Sequence, residues 1–404
     1  MIKYKTLILS FSITCLAAPV FAQGDVAKAF SFAAKQTTFM LKEVDSAKAH
    51  ANNPALVSPR NLKPDGTLGL INSKDWCSGF FPGELWFLYE YTKDAKWLAP
   101  AKDYTANIER EKDDATSHDV GFKVYNSAGN AYRLTRDPHY KEVLIRAATT
   151  LSRRFNPVVG SLQSWNARNG WKFPVIIDNM MNLELLFEAT HLSGDSSFYK
   201  IAVAHANTAM KNHFRADNSS FHVVDYDPET GKILHRVTHQ GFADSSAWAR
   251  GQAWGLYGYT LCYRETRNKA YLEQAQKIAK FILSNPNLPA DLVPYWDFND
   301  PAIPNVPRDA SAAAIMASAL YELSTYSTAN SKLYKTTADK IVKSLSDRYQ
   351  SKPDENHGFL LLHSMGHKPA KSEIDVPIIY ADYYYMEALL RKDRLAKRRP
   401  VVIR

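Results

Sequence analysis

Thr92-Lys93-Asp94-Ala95-Lys96-Trp97 returns along the chain as Thr135-Arg136-Asp137-Pro138-His139-Tyr140, Ser193-Gly194-Asp195-Ser196-Ser197-Phe198 and Thr266-Arg267-Asn268-Lys269-Ala270-Tyr271. Thr328-Ala329-Asn330 leading to Tyr334 repeats the plan with one residue added. An Asp or Asn in that place accepts hydrogen bonds from the free amides that open a helix, and the aromatic residue after it packs back on the helix just ended. Each phrase therefore reads as a helical hairpin.

Working outward from these turns, amphipathic periodicity predicts helices near 26–46, 79–92, 96–112, 119–135, 138–154, 178–193, 196–213, 248–266, 270–284, 309–326, 331–349 and 379–391, twelve segments in six pairs. Stacked antiparallel hairpins bury their apolar faces against one another, and six of them suit a closed ring better than an open solenoid. The expected fold is all-α, an (α/α)6 toroid over residues 23–391. The long connections at 155–176, 214–247 and 285–308 are Pro-rich and aromatic; Phe221–Asp225 is the best strand candidate among them. Long loops on one rim of a rigid scaffold are where a cleft is built.

The chain of 404 residues is 45% apolar and carries a formal charge of +9. Residues 1–22 read as a cleaved export signal: Lys3 and Lys5, an apolar run from Thr6 to Ala18, then Val20-Phe21-Ala22. That run is too short to span a membrane, so the expected setting is periplasmic or secreted, with no membrane insertion. Lys3 and Lys5 hold two of the positive charges and the segment from Arg391 to Arg404 a net six, leaving about one for the folded body. A neutral body argues against a nucleic-acid partner, and the basic segment 392–404 is expected to be a solvated tail. After removal of the signal only Cys77 and Cys262 remain, too few for a disulfide scaffold.

Three windows carry candidate chemistry. Asp178 opens a helix within Val175-Ile176-Ile177-Asp178-Asn179-Met180-Met181-Asn182, where it is either a plain N-cap or a functional carboxyl; the amides of Asn179 and Asn182 beside it favour function. Asp119, after His118, poses the same alternatives at the start of another helix. Two such residues at matching points of two hairpins suggest carboxyls facing one cavity, one able to donate a proton while the other stays charged. The third window places Trp248, Arg250, Gln252 and Trp254 across two turns of a helix start. Indole faces stack on sugar C–H surfaces and a guanidinium forks onto a carboxylate, so a sugar acid fits this set. Trp76 adds an aromatic patch that, taken alone, reads as packing. His222 and His239 are isolated loop histidines, without HxH or HExxH spacing for a metal. The sequence has no P-loop, no dinucleotide fingerprint and no GxSxG elbow, so no metal or cofactor is expected.

These windows resemble glycoside hydrolase family 88, the unsaturated glucuronyl hydrolases. The resemblance is carried by SHDVGF at 117–122, IIDNMMNL at 176–183, HQGFADSSAWARGQAWGLYG at 239–258 and DVPIIYADYYYMEALL at 375–390. It implies an (α/α)6 barrel and a metal-free enzyme that removes the 4,5-unsaturated uronic acid left at the non-reducing end by a polysaccharide lyase. By the same resemblance Asp178 and Asp119 are the catalytic pair, and His118, His222, Gln240, Trp248, Arg250 and Trp254 bind the unsaturated sugar, with Trp76 lining its pocket. Ser364 falls in a loop where relatives read sulfate, but His367 stands where a second serine is expected. Two alternatives remain on the sequence. One is the related unsaturated rhamnogalacturonyl hydrolases, with similar chemistry; the other is a non-catalytic carbohydrate-binding protein. An epimerase on the same toroid would rely on histidines at the cavity floor, where this chain offers acids.

Overall fold

The computed structural model describes residues 20–403. The stretch read as an export signal lies, apart from its last three residues, outside them. Each turn phrase works as one unit. The hydroxyls of Thr92, Thr135, Ser193 and Thr266 bond back to the carbonyls four residues earlier. The same hydroxyls accept the backbone N–H of Asp94, Asp137, Asp195 and Asn268. The residue between takes a left-handed conformation at Lys93, Arg136, Gly194 and Arg267, which reverses the chain. The Asp and Asn side chains then cap the next helix through the amides of Lys96, His139, Ser197 and Ala270. Trp97, Tyr140, Phe198 and Tyr271 are buried behind the turns. Asn330 makes no side-chain cap, although Tyr334 is buried as in the others.

Helices of two kinds alternate. Phe80–Thr92, Leu183–Ser193, Ala249–Thr266, Ala310–Leu323 and Ile379–Ala396 are buried on most of their surface. Leu98–Ile108, Pro138–Ser152, Ser196–Asn212, Lys269–Leu283 and Ser331–Ser344 bury one stripe and expose the other. The first kind touch one another in sequence, with the segment 121–135 between Phe80–Thr92 and Leu183–Ser193, and the last helix packs on Phe80–Thr92. The inner wall is therefore a closed ring inside an outer one, the (α/α)6 toroid. One apolar core runs from Val26 to Leu390.

Two departures from the sequence reading stand out. Gly121–Gly129 is wound as a π-helix before the α-helix Asn130–Thr135 begins. Its backbone is drawn towards Asn182, whose oxygen takes the N–H of Phe122 at 2.9 Å. The segment expected to be a solvated tail from residue 392 is folded in part: 396–400 are exposed, but its start is not. The last helix runs on to Ala396, and Arg394 pairs with Glu90 and bonds the carbonyl of Val401. Arg391 is buried against Glu322 at 3.1 Å, in a charged layer that also holds Arg264, bonded to Glu322 at 3.0 Å and paired with Glu184. A count of basic residues cannot reveal this, because the acids that claim them come from distant helices.

The connections carry the rim. Phe173–Ile176, Val223–Tyr226 and Ile233–Val237 form an antiparallel sheet in which Ile176 faces Val223 and Val223 faces Val237. The strand expected at Phe221–Asp225 is the middle one. Ser364–His367 pairs with Ser372–Val376 as a hairpin across the rim. No helix among the described residues is long and apolar enough to cross a membrane.

Candidate active site

The three-stranded sheet delivers two of the expected residues side by side. Its ladder ends with the N–H of Ile177 on the carbonyl of His222 at 3.0 Å, so Asp178 follows one strand and His222 precedes the next. Asp178 lies in the first turn of Ile177–Asn182, yet the cap position is Ile176 and no side chain caps this turn. Its carboxyl is therefore free of the structural duty that would have explained it. It is 8% exposed. Burial pushes its pKa up to about 7; Arg250 opposes the shift, the like charge of Asp119 adds to it, and the indole N–H of Trp254 opposes it.

His222 has a defined tautomer. Its Nδ1 accepts the backbone N–H groups of His239 and Gln240, at 3.1 and 3.0 Å. A nitrogen that accepts carries no proton, so the ring proton is on Nε2, which lies 3.6 Å from Oδ2 of Asp178. Burial holds His222 well below its ordinary pKa, which keeps it neutral. His118 is arranged in the same way. Nδ1 faces the side-chain nitrogen of Asn182 at 3.3 Å, and Nε2 lies 3.3 Å from Oδ1 of Asp119. Asp119 also accepts from the hydroxyl of Ser117. Each acid thus lies beside the Nε2 of a neutral imidazole, near it but not hydrogen-bonded to it.

Around the acids is a sleeve of rings. Trp76, half-buried, stands 5.4 Å from Phe122 and 4.9 Å from Tyr380; Trp254 stands 5.3 Å from Phe122 and 5.4 Å from Tyr384. Trp248, the residue before the helix Ala249–Thr266, lies 4.6 Å from the ring of His222. Such walls exclude water and offer flat faces to a sugar.

Arg250 differs from its sequence reading. Its guanidinium bonds Asp309 at 3.1 Å, the carbonyl of Gly366 at 2.7 Å and the carbonyl of Met365. The fork expected to hold a sugar carboxylate is engaged by the rim hairpin, and only Nε is left without a protein partner. Arg250 therefore anchors the hairpin while its charge acts on Asp178. Gln240 joins the same hairpin through the carbonyl of Gly366 at 3.1 Å. Ser364 is fully buried at the start of the hairpin and presents no surface to the mouth.

The sequence reading missed the outer layer. Trp165 and Trp171 are stacked 6.1 Å apart, and His239 stands 5.2 Å from the first and 6.0 Å from the second. Nε2 of His367 donates to the carbonyl of His239 at 2.8 Å. Two tryptophans and an arginine in one connecting loop, at 165, 168 and 171, were the available signal. Among the described residues no group of three or more His, Cys, Asp or Glu could hold a metal ion.

The comparison with known proteins agrees with this geometry. The model of a family described as Glycosyl Hydrolase Family 88 matches residues 59–395. The chain is 52% identical over 330 residues to an unsaturated glucuronyl hydrolase of Formosa agariphila, covering 80% of this chain and 82% of the relative. It is 36% identical over 336 residues to an unsaturated glucuronyl hydrolase of Bacillus sp. (strain GL1), covering 80% and 88%. In three dimensions it is similar to the crystal structure of an unsaturated glucuronyl hydrolase specific for heparin, with a TM-score of 0.87 and 44% identity over 93% of this chain and 98% of that one. A match of this extent, over a ring whose two acids and two imidazoles are already in place, means that the chain belongs to glycosyl hydrolase family 88 and is a glycoside hydrolase.

Proposed function

We propose that the enzyme removes the 4,5-unsaturated uronic acid from the non-reducing end of oligosaccharides made by polysaccharide lyases. The observation that carries this reading is the buried carboxyl of Asp178, which caps no helix, is held protonated up to about 7, and faces the Nε2–H of His222. A group with that pKa gives and retakes a proton near neutrality. Asp178 donates a proton to C4 of the vinyl ether, and the oxocarbenium character that develops at C5 is stabilised by the negative charge of Asp119. Water then adds at C5 and returns its proton to Asp178. The hemiketal so formed opens at the bond between C5 and the ring oxygen, giving a ketone at C5. The hemiacetal left at C1 collapses to an aldehyde and releases the remaining sugar as an alcohol. One water is consumed and Asp178 ends as it began. We also propose that residues 1–22 direct the protein to export, where lyase products are met.

The test follows the ultraviolet absorbance of the conjugated double bond with lyase-made disaccharides from heparin, chondroitin, hyaluronan, ulvan, gellan and rhamnogalacturonan. Heparin products head the panel because the relative of known structure is named for heparin. Absorbance is expected to decay on at least one of them. No decay on any, with tight binding to one, would establish a carbohydrate-binding protein instead.

A further inference from the structure

Arg168 sits at the tip of the rim loop in a tight two-residue turn. Asn169 and Gly170 both take positive φ, 55° and 80°, and the N–H and carbonyl groups of Arg168 and Trp171 bond each other at 3.2 and 2.8 Å. This mirror-image turn closes on an isolated bridge between Arg168 and Trp171. The loop's base is tied down as well, since Arg154 reaches Asn166 at 3.2 Å and the carbonyls of Gln163 and Ala115. The Arg168 guanidinium lies over Trp165, 3.9 Å from its centroid, and the Trp165 ring is 6.2 Å from that of catalytic-site His222. The exposed cation is thus held in place by rings and turn geometry, with no acid among the described residues in salt-bridge contact.

Lys368, on the facing hairpin, is differently placed. Lys368 is bonded to Asp300 at 2.7 Å and lies over Trp296 at 4.5 Å. His367 beside it is engaged with the carbonyl of His239. Ser364 is buried. The hairpin's Lys368 is therefore already paired, whereas Arg168 on the opposite wall has no acid partner among the described residues.

We infer that Arg168 is a specificity residue that reads an anionic substituent, a sulfate ester, on the sugar attached to the unsaturated uronate, with Trp165 and Trp171 forming the platform beneath. The inference rests on the proposed hydrolase activity for its substrate class. A guanidinium stacked on an indole keeps its outer N–H groups directed to solvent and free to form charge-assisted hydrogen bonds. The turn already fixes it, so little side-chain freedom is lost on binding. The same positive charge acts on Asp119 and on His239, which places it within electrostatic reach of the site.

The experiment compares two lyase-made disaccharides that differ only by one sulfate on the second sugar, using wild type, R168Q and R168K. The ratio of kcat/KM, sulfated over unsulfated, is expected to fall about 10- to 100-fold in R168Q, the size of one charge-assisted contact, and to recover in part in R168K. Raising the salt concentration is expected to erode the wild-type preference and to leave R168Q indifferent. An unchanged ratio, with both substrates slowed alike, would overturn the inference and make Arg168 a positioning residue for Trp165 or Asp119. If wild type bleaches neither disaccharide, the hydrolase reading itself has failed. Calorimetric binding of the same pair to wild type and R168Q then decides the role of Arg168 separately, a lost sulfate preference supporting it and an unaltered one overturning it.

Discussion

The side-chain nitrogen of Asn182 lies 3.3 Å from Nδ1 of His118 because the oxygen of the same amide is held by the N–H of Phe122. Only the oxygen can accept that N–H, so the nitrogen must donate to the imidazole, and His118 must carry its proton on the side of Asp119. Asn182→Asp presents an acceptor to Nδ1 in a side chain of nearly the same shape. The proton is then drawn to Nδ1, and a bare Nε2 faces Asp119. The expected result is a fall in kcat of about 100-fold with a much smaller change in KM. A changed nitrogen chemical shift for His118 would report the new tautomer.

Asp178→Asn removes the proton donor in the proposed mechanism. Turnover is expected to drop by about a thousandfold or more while binding of the unsaturated disaccharide persists. In wild type the protonated carboxyl is depleted as pH rises through about 7, so the kcat/KM profile should fall on its alkaline side near that value. Retention of most activity in the variant would sink the mechanism.

The same residue sets a stability test with a defined sign. Its ordinary pKa is 3.8 and the folded value is raised to about 7, so the favourable state is the protonated one. The stability it brings is complete below about 4 and is lost as pH rises to about 7. Asp178→Asn cannot ionise and escapes that loss. The variant should be more stable than wild type by roughly 2–4 kcal/mol at pH 8 and nearly equal to it below pH 4, as measured by denaturant unfolding.

Arg250→Lys keeps the charge and loses the fork. A single ammonium cannot serve Asp309 and two adjacent carbonyls from one position. Leaving buried acceptors unpaired is expected to cost about 2–4 kcal/mol. Faster amide exchange along Ser364–His367 would show that the hairpin had come loose.

Gly121→Ala tests the close approach beneath His118. A Cβ there would lie 2.7 Å from the Cα of Asn182 and 2.5 Å from its Oδ1. The backbone of Asn182 cannot yield without moving the sheet exit that carries Asp178. Thermal unfolding should reveal a loss of about 1–3 kcal/mol, accompanied by a drop in activity.

The parts of this structure that the sequence made legible are those governed by neighbours along the chain. The turn phrases were readable because the hydroxyl, the left-handed residue, the cap and the buried aromatic act within six positions, as at Thr92 to Trp97. Asp178 and Asp119 stood out because acids at helix starts among amides and apolar residues are costly without a purpose. What stayed hidden depends on partners far away. Arg250 looked available because Met365 and Gly366 are more than a hundred residues on. Arg394 looked solvated because Glu90 lies 304 residues back. Trp165 and Trp171 went unread because what brings them over His239 is the turn at Asn169 and Gly170. The π winding of Gly121–Gly129 follows from Asn182, which no local pattern announces.

The helix Ile379–Ala396 closes the inner ring and supplies Tyr380 and Tyr384 to the sleeve around Trp76 and Trp254. A chain still being made has, until those residues emerge, an open trough where the finished enzyme has a lined well, and both tryptophans face water. Docking of this helix joins segments 304 residues apart, as at Glu90 and Arg394, and contacts so distant in sequence are slow to form. Catalytic competence should therefore arrive in a single step when that helix docks, and no shortened product lacking it should retain a fraction of that competence.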